Sequence, residues 1–155
     1  MRATSVILLG AAALLLPAST VQADRAKNFQ VVRFVTSEKV GFDGRGMCYA
    51  KKAARQVYYF KAFPASLDHM ESCVTLSSKN ARGRVSFNMS VVDKEDDSLL
   101  DLDGYMDFGP HGKVSQILAW EKLEILRPGH YQIVLTIDDE EVGRWPIRFE
   151  KAGRG

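Results

Sequence analysis

Leu126-Arg127-Pro128-Gly129-His130-Tyr131-Gln132-Ile133-Val134-Leu135-Thr136-Ile137 is a turn running into a strand. Pro128 fixes its own φ and Gly129 tolerates backbone that other residues avoid, so the pair marks a sharp change of direction. Beyond it Tyr131, Ile133, Leu135 and Ile137 alternate with His130, Gln132 and Thr136, and only Val134 breaks the pattern. A period of two reads as a strand half-buried on one face. Asp138-Asp139-Glu140-Glu141 then forms a tight hairpin connection, exposed because adjacent carboxylates are costly to bury unpaired. On the return, Trp145, Ile147 and Phe149 share one face, with Arg144, Pro146 and Arg148 on the other. Pro146 lacks an N–H, so its strand is expected at an edge or with a bulge there.

The same reading extends upstream. Val85, Phe87, Met89 and Val91 alternate with Ser86, Asn88 and Ser90, which predicts a half-buried strand. Residues 93–97 form a charged turn, 99–102 a strand, Asp103-Gly104 a turn, and 105–108 a short apolar strand. Pro110-His111-Gly112 is a further turn, and 114–125 a strand. The first half is less regular. Residues 30–36 are the first strand, and Gly41, Gly44 and Gly46 mark a loop. Residues 47–63 stay open between two readings. Ala50, Ala53, Ala54 and Val57 have helical spacing, whereas Val57-Tyr58-Tyr59-Phe60 favours a strand over 55–63. Residues 63–66 read as a loop, and 67–73 as a short helical turn with Ser66 as N-cap.

The first segment reads as an address rather than as fold. Arg2 precedes the apolar run 6–16, which is shorter than the ~20 residues a membrane span needs. Pro17 ends that run, and Val21-Gln22-Ala23 has the small-residue pattern of a cleavage site. Residues 1–23 are therefore expected to be a signal peptide, and 24–155 a single domain, secreted or periplasmic, with no membrane span after cleavage. Charge is nearly balanced in that domain but unevenly distributed. Residues 24–84 carry 12 Lys/Arg against 5 Asp/Glu, and residues 85–155 carry 8 against 14. Cys48 and Cys73 are its two cysteines, and in an oxidising compartment an even count points to a disulfide. Closing a loop of this length is worth about 3 kcal/mol in the chain-entropy account.

The stretch 85–150 resembles the later strands of immunoglobulin-like and fibronectin-type domains. Leu126, Pro128, Gly129, Tyr131 and the terminal hairpin ending Trp145-Pro146-Ile147-Arg148-Phe149 carry the likeness. It implies an all-β, two-sheet immunoglobulin-like sandwich, here with one short helix in the first half. It also implies a corner in which the Tyr131 hydroxyl bonds main chain a few residues upstream. Immunoglobulin domains proper carry a cysteine two residues past that tyrosine. Ile133 stands there in this chain, so the Cys48–Cys73 bridge is local to the first half.

Chemistry is sparse. Asp101-Leu102-Asp103-Gly104 has part of a calcium-loop pattern, but the remaining ligand positions fall on Leu99 and Pro110. His69, His111 and His130 have no zinc spacing with the cysteines, and neither a Gly-x-Ser-x-Gly elbow nor a His-Glu-x-x-His helix occurs. No enzyme activity, metal or cofactor is expected. The leading expectation is a non-enzymatic accessory module that binds a protein partner through sheet edges or loops. The alternative is a polyanion surface for an anionic glycan or lipid headgroup. Its candidate contacts are Lys51, Lys52, Arg55 and Lys61, interleaved with Tyr49, Tyr58, Tyr59 and Phe60. Nucleic acid is not the expected ligand of an exported chain. Mass spectrometry of the exported protein is expected to give Asp24 as its first residue, and retention of residues 1–23 refutes the cleavage site.

Overall fold

The computed structural model describes residues 28–153. The signal-peptide expectation for residues 1–23 lies outside them. The described residues form ten strands: β1 (Phe29–Ser37), β2 (Val40–Phe42), β3 (Cys48–Ala50), β4 (Val57–Phe60), β5 (Ala65–Ser78), β6 (Gly83–Val92), β7 (Ser98–Phe108), β8 (Lys113–Ile125), β9 (Gly129–Ile137) and β10 (Glu140–Lys151). A three-stranded sheet of order β1-β5-β8 faces a five-stranded sheet of order β4-β10-β9-β6-β7, and β2-β3 makes a small hairpin. The fold is an all-β sandwich. Its core holds Met70, Val74, Leu76, Trp120 and Leu123 from the smaller sheet. Met89, Met106, Ile133, Leu135, Ile147 and Phe149 meet them from the larger one. The Trp120 indole N–H donates to Ser72 Oγ at 2.8 Å, so its polar atom is satisfied inside the core.

The closing hairpin follows the sequence pattern. Ile133 pairs with Trp145 and Tyr131 with Ile147, which places both apolar sets on the core face. Asp138 and Asp139 connect the strands with φ of 52° and 63°. Two successive left-handed residues give the turn the twist a two-residue hairpin requires. Pro146 has β9 on one side and no strand on the other, because β4 pairs with β10 only from Arg148 onward. The Arg148 N–H points toward β4, to Gln56 O at 2.7 Å. Pro146, two residues earlier on the same strand, therefore loses no ladder donor. Trp145 is half-buried and stacks on Phe34 of β1, with centroids 3.8 Å apart and planes 9° apart, which joins the two sheets along this side.

At the corner, the Tyr131 hydroxyl donates to Arg127 O at 2.7 Å. The ring is buried against Phe149, centroid to centroid 5.1 Å, so the bond locks the crossing from β8 in one sheet to β9 in the other.

Three expectations are corrected. Residues 67–73 are not a helical turn, and no helix occurs among the described residues. This segment belongs to β5, the 14-residue centre of its sheet, paired with β1 and β8. Residues 47–63 resolve into two short strands, β3 and β4, and β4 is only 4 residues long where a strand over 55–63 was expected. Asp103-Gly104 is not a turn but lies mid-strand in β7. Gly104 sits opposite Phe87, whose ring would lie 3.0 Å from any Cβ there, so the glycine serves close packing.

The hairpin β2-β3 is a third layer. It covers the outer face of β5, where Glu71, Cys73 and Thr75 alternate with the core residues Met70, Ser72 and Val74. Cys48 and Cys73 form the expected disulfide, with Cα atoms 5.6 Å apart. Beside it the Cys48 N–H donates to Thr75 Oγ1 at 3.3 Å, and the Val40 N–H to Glu71 Oε2 at 2.8 Å. Val40, Cys48 and Cys73 thus form a small core of their own, apart from the main one.

Replacing Tyr131 with Phe removes the corner bond and is expected to cost about 1 kcal/mol in urea unfolding, with the sandwich retained. Glu71 gives a pH signature. The Val40 N–H, then His69, hold its carboxyl below the usual range. A lowered folded pKa stabilises above the unfolded pKa of about 4.3 and is lost as pH falls through the folded value. The stability gap between wild type and Glu71→Gln is therefore expected at pH 7, and should narrow steadily as acid brings the carboxyl through its lowered folded pKa. A gap that does not narrow between pH 7 and the acid end of the titration shows that Glu71 does not hold the hairpin through its charge.

Candidate interaction surface

The path from β3 to β4 decides which edge of the larger sheet stays open. After β3 the chain runs back along the end of β1. The Lys51 N–H donates to Lys39 O at 2.9 Å, and Ser37 Oγ donates to Ala53 O at 3.1 Å. Arg55 N–H donates to Thr36 O at 3.0 Å, and Thr36 Oγ1 donates back to Arg55 O at 2.5 Å. This clamp carries the chain across to β10, where β4 pairs in parallel.

These bonds also place the basic residues expected to meet a polyanion. Lys52 and Arg55 share one carboxylate, Glu38, at 2.9 and 3.0 Å. The two cations, Lys52 foremost, hold the Glu38 carboxyl below its ordinary range. Lys51 lies over Gly41, where a side chain would meet its Cε. Lys61 follows β4 at the far end of that strand, about 20 Å of extended chain from Arg55. Two of the four cations thus share one carboxylate, which offsets one of their two charges, and the four do not form one continuous face. Of the interleaved aromatics, Tyr58 is buried against Phe149, Phe60 packs between Phe63 and Phe149, and Tyr59 is 64 % exposed.

The outer edge of β4 is the second feature. Gln56 O and Phe60 O accept bonds from Arg148 and Ala152 of the β10 side. By strand alternation the N–H and C=O groups of Val57 and Tyr59 point the other way, to an edge with no neighbouring strand. A hollow runs along this edge, lined by Arg55, Val57, Tyr58, Tyr59, Phe60 and Leu67. The Tyr58 hydroxyl has no hydrogen-bond partner among the described residues, and burial pushes its pKa up to about 12.

The remaining edges are guarded. β7 presents Asp101, Asp103 and Asp107 along its outward positions. β8 carries Glu121, Lys122 and Glu124, with Lys122 at φ 53°. β1 has an irregularity between Val31 and Arg33 and is clamped at its end by residues 51–55. Charges and bulges of this kind discourage unwanted strand pairing. The open face of the larger sheet is partly roofed. Arg144 pairs with Asp96 at 2.7 Å and Glu141 at 2.9 Å and donates to Gln132 at 2.5 Å. It thereby draws the β6–β7 turn toward Ser90, Val92 and Val134, which are buried. Arg144 does face away from the core as expected, but it is a clamp and not a solvated side chain.

Asn88 Nδ2 donates to Asp103 at 2.9 Å on the bare half of that face, beside Ser86, Tyr105 and Asp138. No group of three or more metal-ligating residues occurs among the described residues. No described helix is long and apolar enough to cross a membrane.

Among solved structures, the chain is similar to an alkylpurine DNA glycosylase of Pseudomonas fluorescens bound to DNA with an abasic site analogue. The identity is 8 % over 79 % of this chain and 30 % of that one, with a TM-score of 0.49. An immunoglobulin-like protein of Pseudomonas aeruginosa matches at 10 % identity over 78 % of this chain and 95 % of that one, TM-score 0.45. A glycosyl hydrolase family 2 member of Bacteroides cellulosilyticus matches at 18 % identity over 52 % and 12 %, TM-score 0.42. The chain thus spans less than a third of the glycosylase and about an eighth of the hydrolase. Nothing about its activity follows from likenesses this distant. No curated protein matches it. A family model does match residues 33–150, from β1 to the end of β10, and the chain belongs to that family of unknown function, DUF6941.

Proposed function

We propose that this protein is an exported, non-enzymatic interaction module that captures an extended segment of a partner protein by adding it as a strand to β4. The observation that carries this reading is the open edge of Val57–Phe60. Its four residues are uncharged and three are aromatic, and the free backbone groups of Val57 and Tyr59 line it. Strand addition draws affinity from such main-chain bonds and specificity from side-chain hollows beside them. Here the hollow along β4 supplies apolar contact from Val57, Phe60 and Leu67. Lys61 stands at one end with no ion pair among the described residues, and Arg55, paired with Glu38, stands at the other, which favours a segment with a carboxylate beside a few apolar residues. Export is supported by the apolar leader with its cleavage pattern and by the Cys48–Cys73 disulfide.

The test exploits the direction of the β4 backbone. Tyr59→Pro removes an edge donor while leaving the bonds to β10, since Tyr59 N–H points outward. The probe is a synthetic peptide of alternating Val and Thr with Asp at each end, followed by calorimetry and amide exchange. Binding is expected to slow exchange at Val57 and Tyr59, and Tyr59→Pro is expected to weaken it about tenfold, the scale of one lost hydrogen bond. Protection that appears elsewhere, or equal binding by Tyr59→Pro, refutes strand addition at β4.

A further inference from the structure

We infer that one end of the sandwich, built by the β5–β6 and β7–β8 connections, is a contact surface for an anionic polysaccharide. This surface is separate from the β4 edge, and neither reading rests on the other. The two connections meet tightly. Ser78 N–H donates to Gly112 O at 2.7 Å, and Ser78 Oγ accepts from the Ala81 N–H at 3.0 Å. Gly112 has φ +65°, and a side chain there would run into the Ser78 carbonyl and the Arg82 guanidinium. The loops are therefore ordered before any ligand arrives, which reduces the ordering cost of binding.

The cations on these loops are largely without carboxylate partners, although Arg82 Nη1 donates to the Ala81 carbonyl at 2.6 Å. Among the described residues, no carboxylate lies within ion-pair distance of Lys79, Arg82 or Lys113. Arg84 has only a long contact with Asp107, 3.9 Å, between two exposed side chains. Arg82 sits where two shallow hollows adjoin. One hollow extends toward Lys79 and His111, the other toward Asn80, Arg84, Tyr105 and Asp138. Cations spread over two hollows suit a polymer with repeated charges better than a single small ion.

The neighbours of those cations select the kind of polymer. Asp138 lies in the same wall as Arg82 and Arg84. A carboxylate accepts hydrogen bonds from free sugar hydroxyls, which a polysaccharide presents along its length and a DNA chain does not. Asn80 and Ser86 add amide and hydroxyl groups of the same use. Tyr105 is 63 % exposed, and its ring offers an apolar plate for the C–H face of a pyranose. Arg84 lies 5.2 Å from that ring's centroid and so sets a cation beside the plate. A sugar ring on Tyr105 would thus place its carboxylate or sulfate within reach of Arg84 and Arg82.

The experiment uses the full chain and three probes: heparin, polygalacturonate and single-stranded oligo-dT, each titrated at rising sodium chloride. Lys79→Ala/Arg82→Ala/Arg84→Ala is expected to weaken both glycans about tenfold or more and to flatten the salt dependence. Tyr105→Ala is expected to weaken the glycans and leave oligo-dT unchanged. The control Lys51→Ala/Lys52→Ala should behave as wild type. In the wild-type protein, amide shifts on adding heparin should concentrate at residues 79–84, 105 and 111–113, a readout that does not depend on any variant folding. The inference is overturned if oligo-dT binds as tightly as the glycans and Tyr105→Ala changes neither. It is equally overturned if the control loses binding, or if heparin shifts amides elsewhere or none at low salt.

Discussion

Burial of β5 on both faces is the constraint around which the molecule is arranged. Its inner side chains, Met70, Val74 and Leu76, meet the larger sheet, and its outer ones, Cys73 and Thr75, lie under the β2-β3 hairpin. A strand covered on one side only would leave Cys73, Thr75 and half of Glu71 in water. The hairpin must therefore sit where it does. The chain leaving it at Ala50 must then travel along β1 before reaching β10. That detour determines where β4 begins and why it is short. The open edge is thus a downstream result of covering the other sheet.

The same constraint explains what the sequence made legible and what it concealed. Residues 85–92 and 129–151 are covered on one face, and on the other only around Ser90, Val92 and Val134, so most of their alternation survives in the sequence and could be read directly. Tyr131 was readable because a hydroxyl at a Pro-Gly turn has one obvious use, and the cysteine pair because an even count behind a leader-like segment points to a disulfide. β5 was not readable. From Met70 onward both faces are buried, so period two disappears, and Leu67, Met70 and Val74 fall by chance at helical spacing. Gly104 misled for a different reason. A glycine after an aspartate ordinarily marks a turn, whereas here it makes room for the Phe87 ring across the ladder.

Charge followed chain order poorly. The basic first half divides in the fold between residues around the hairpin, where Lys52 and Arg55 share Glu38, and Lys79, Arg82 and Arg84 at one end of the sandwich. Only tertiary pairing separates a neutralised cation from a free one, so the clustered run at 51–55 looked stronger than the spaced run at 79–84. The open edge was equally hidden. Val57-Tyr58-Tyr59-Phe60 announces a strand, but whether a strand is central or terminal is a property of the sheet order alone.

The hairpin's separate small core has a consequence for how the molecule comes apart. Val40, Cys48 and Cys73 share few neighbours with the main core, so the covalent bond fastens a satellite layer and does not join the two sheets. Such a layer is a cooperative unit that can open while the sandwich stays intact. With the disulfide reduced, the hairpin would be held to β5 by the Val40–Glu71 and Cys48–Thr75 bonds alone, while the bonds of residues 51–55 to the end of β1 would still present β4.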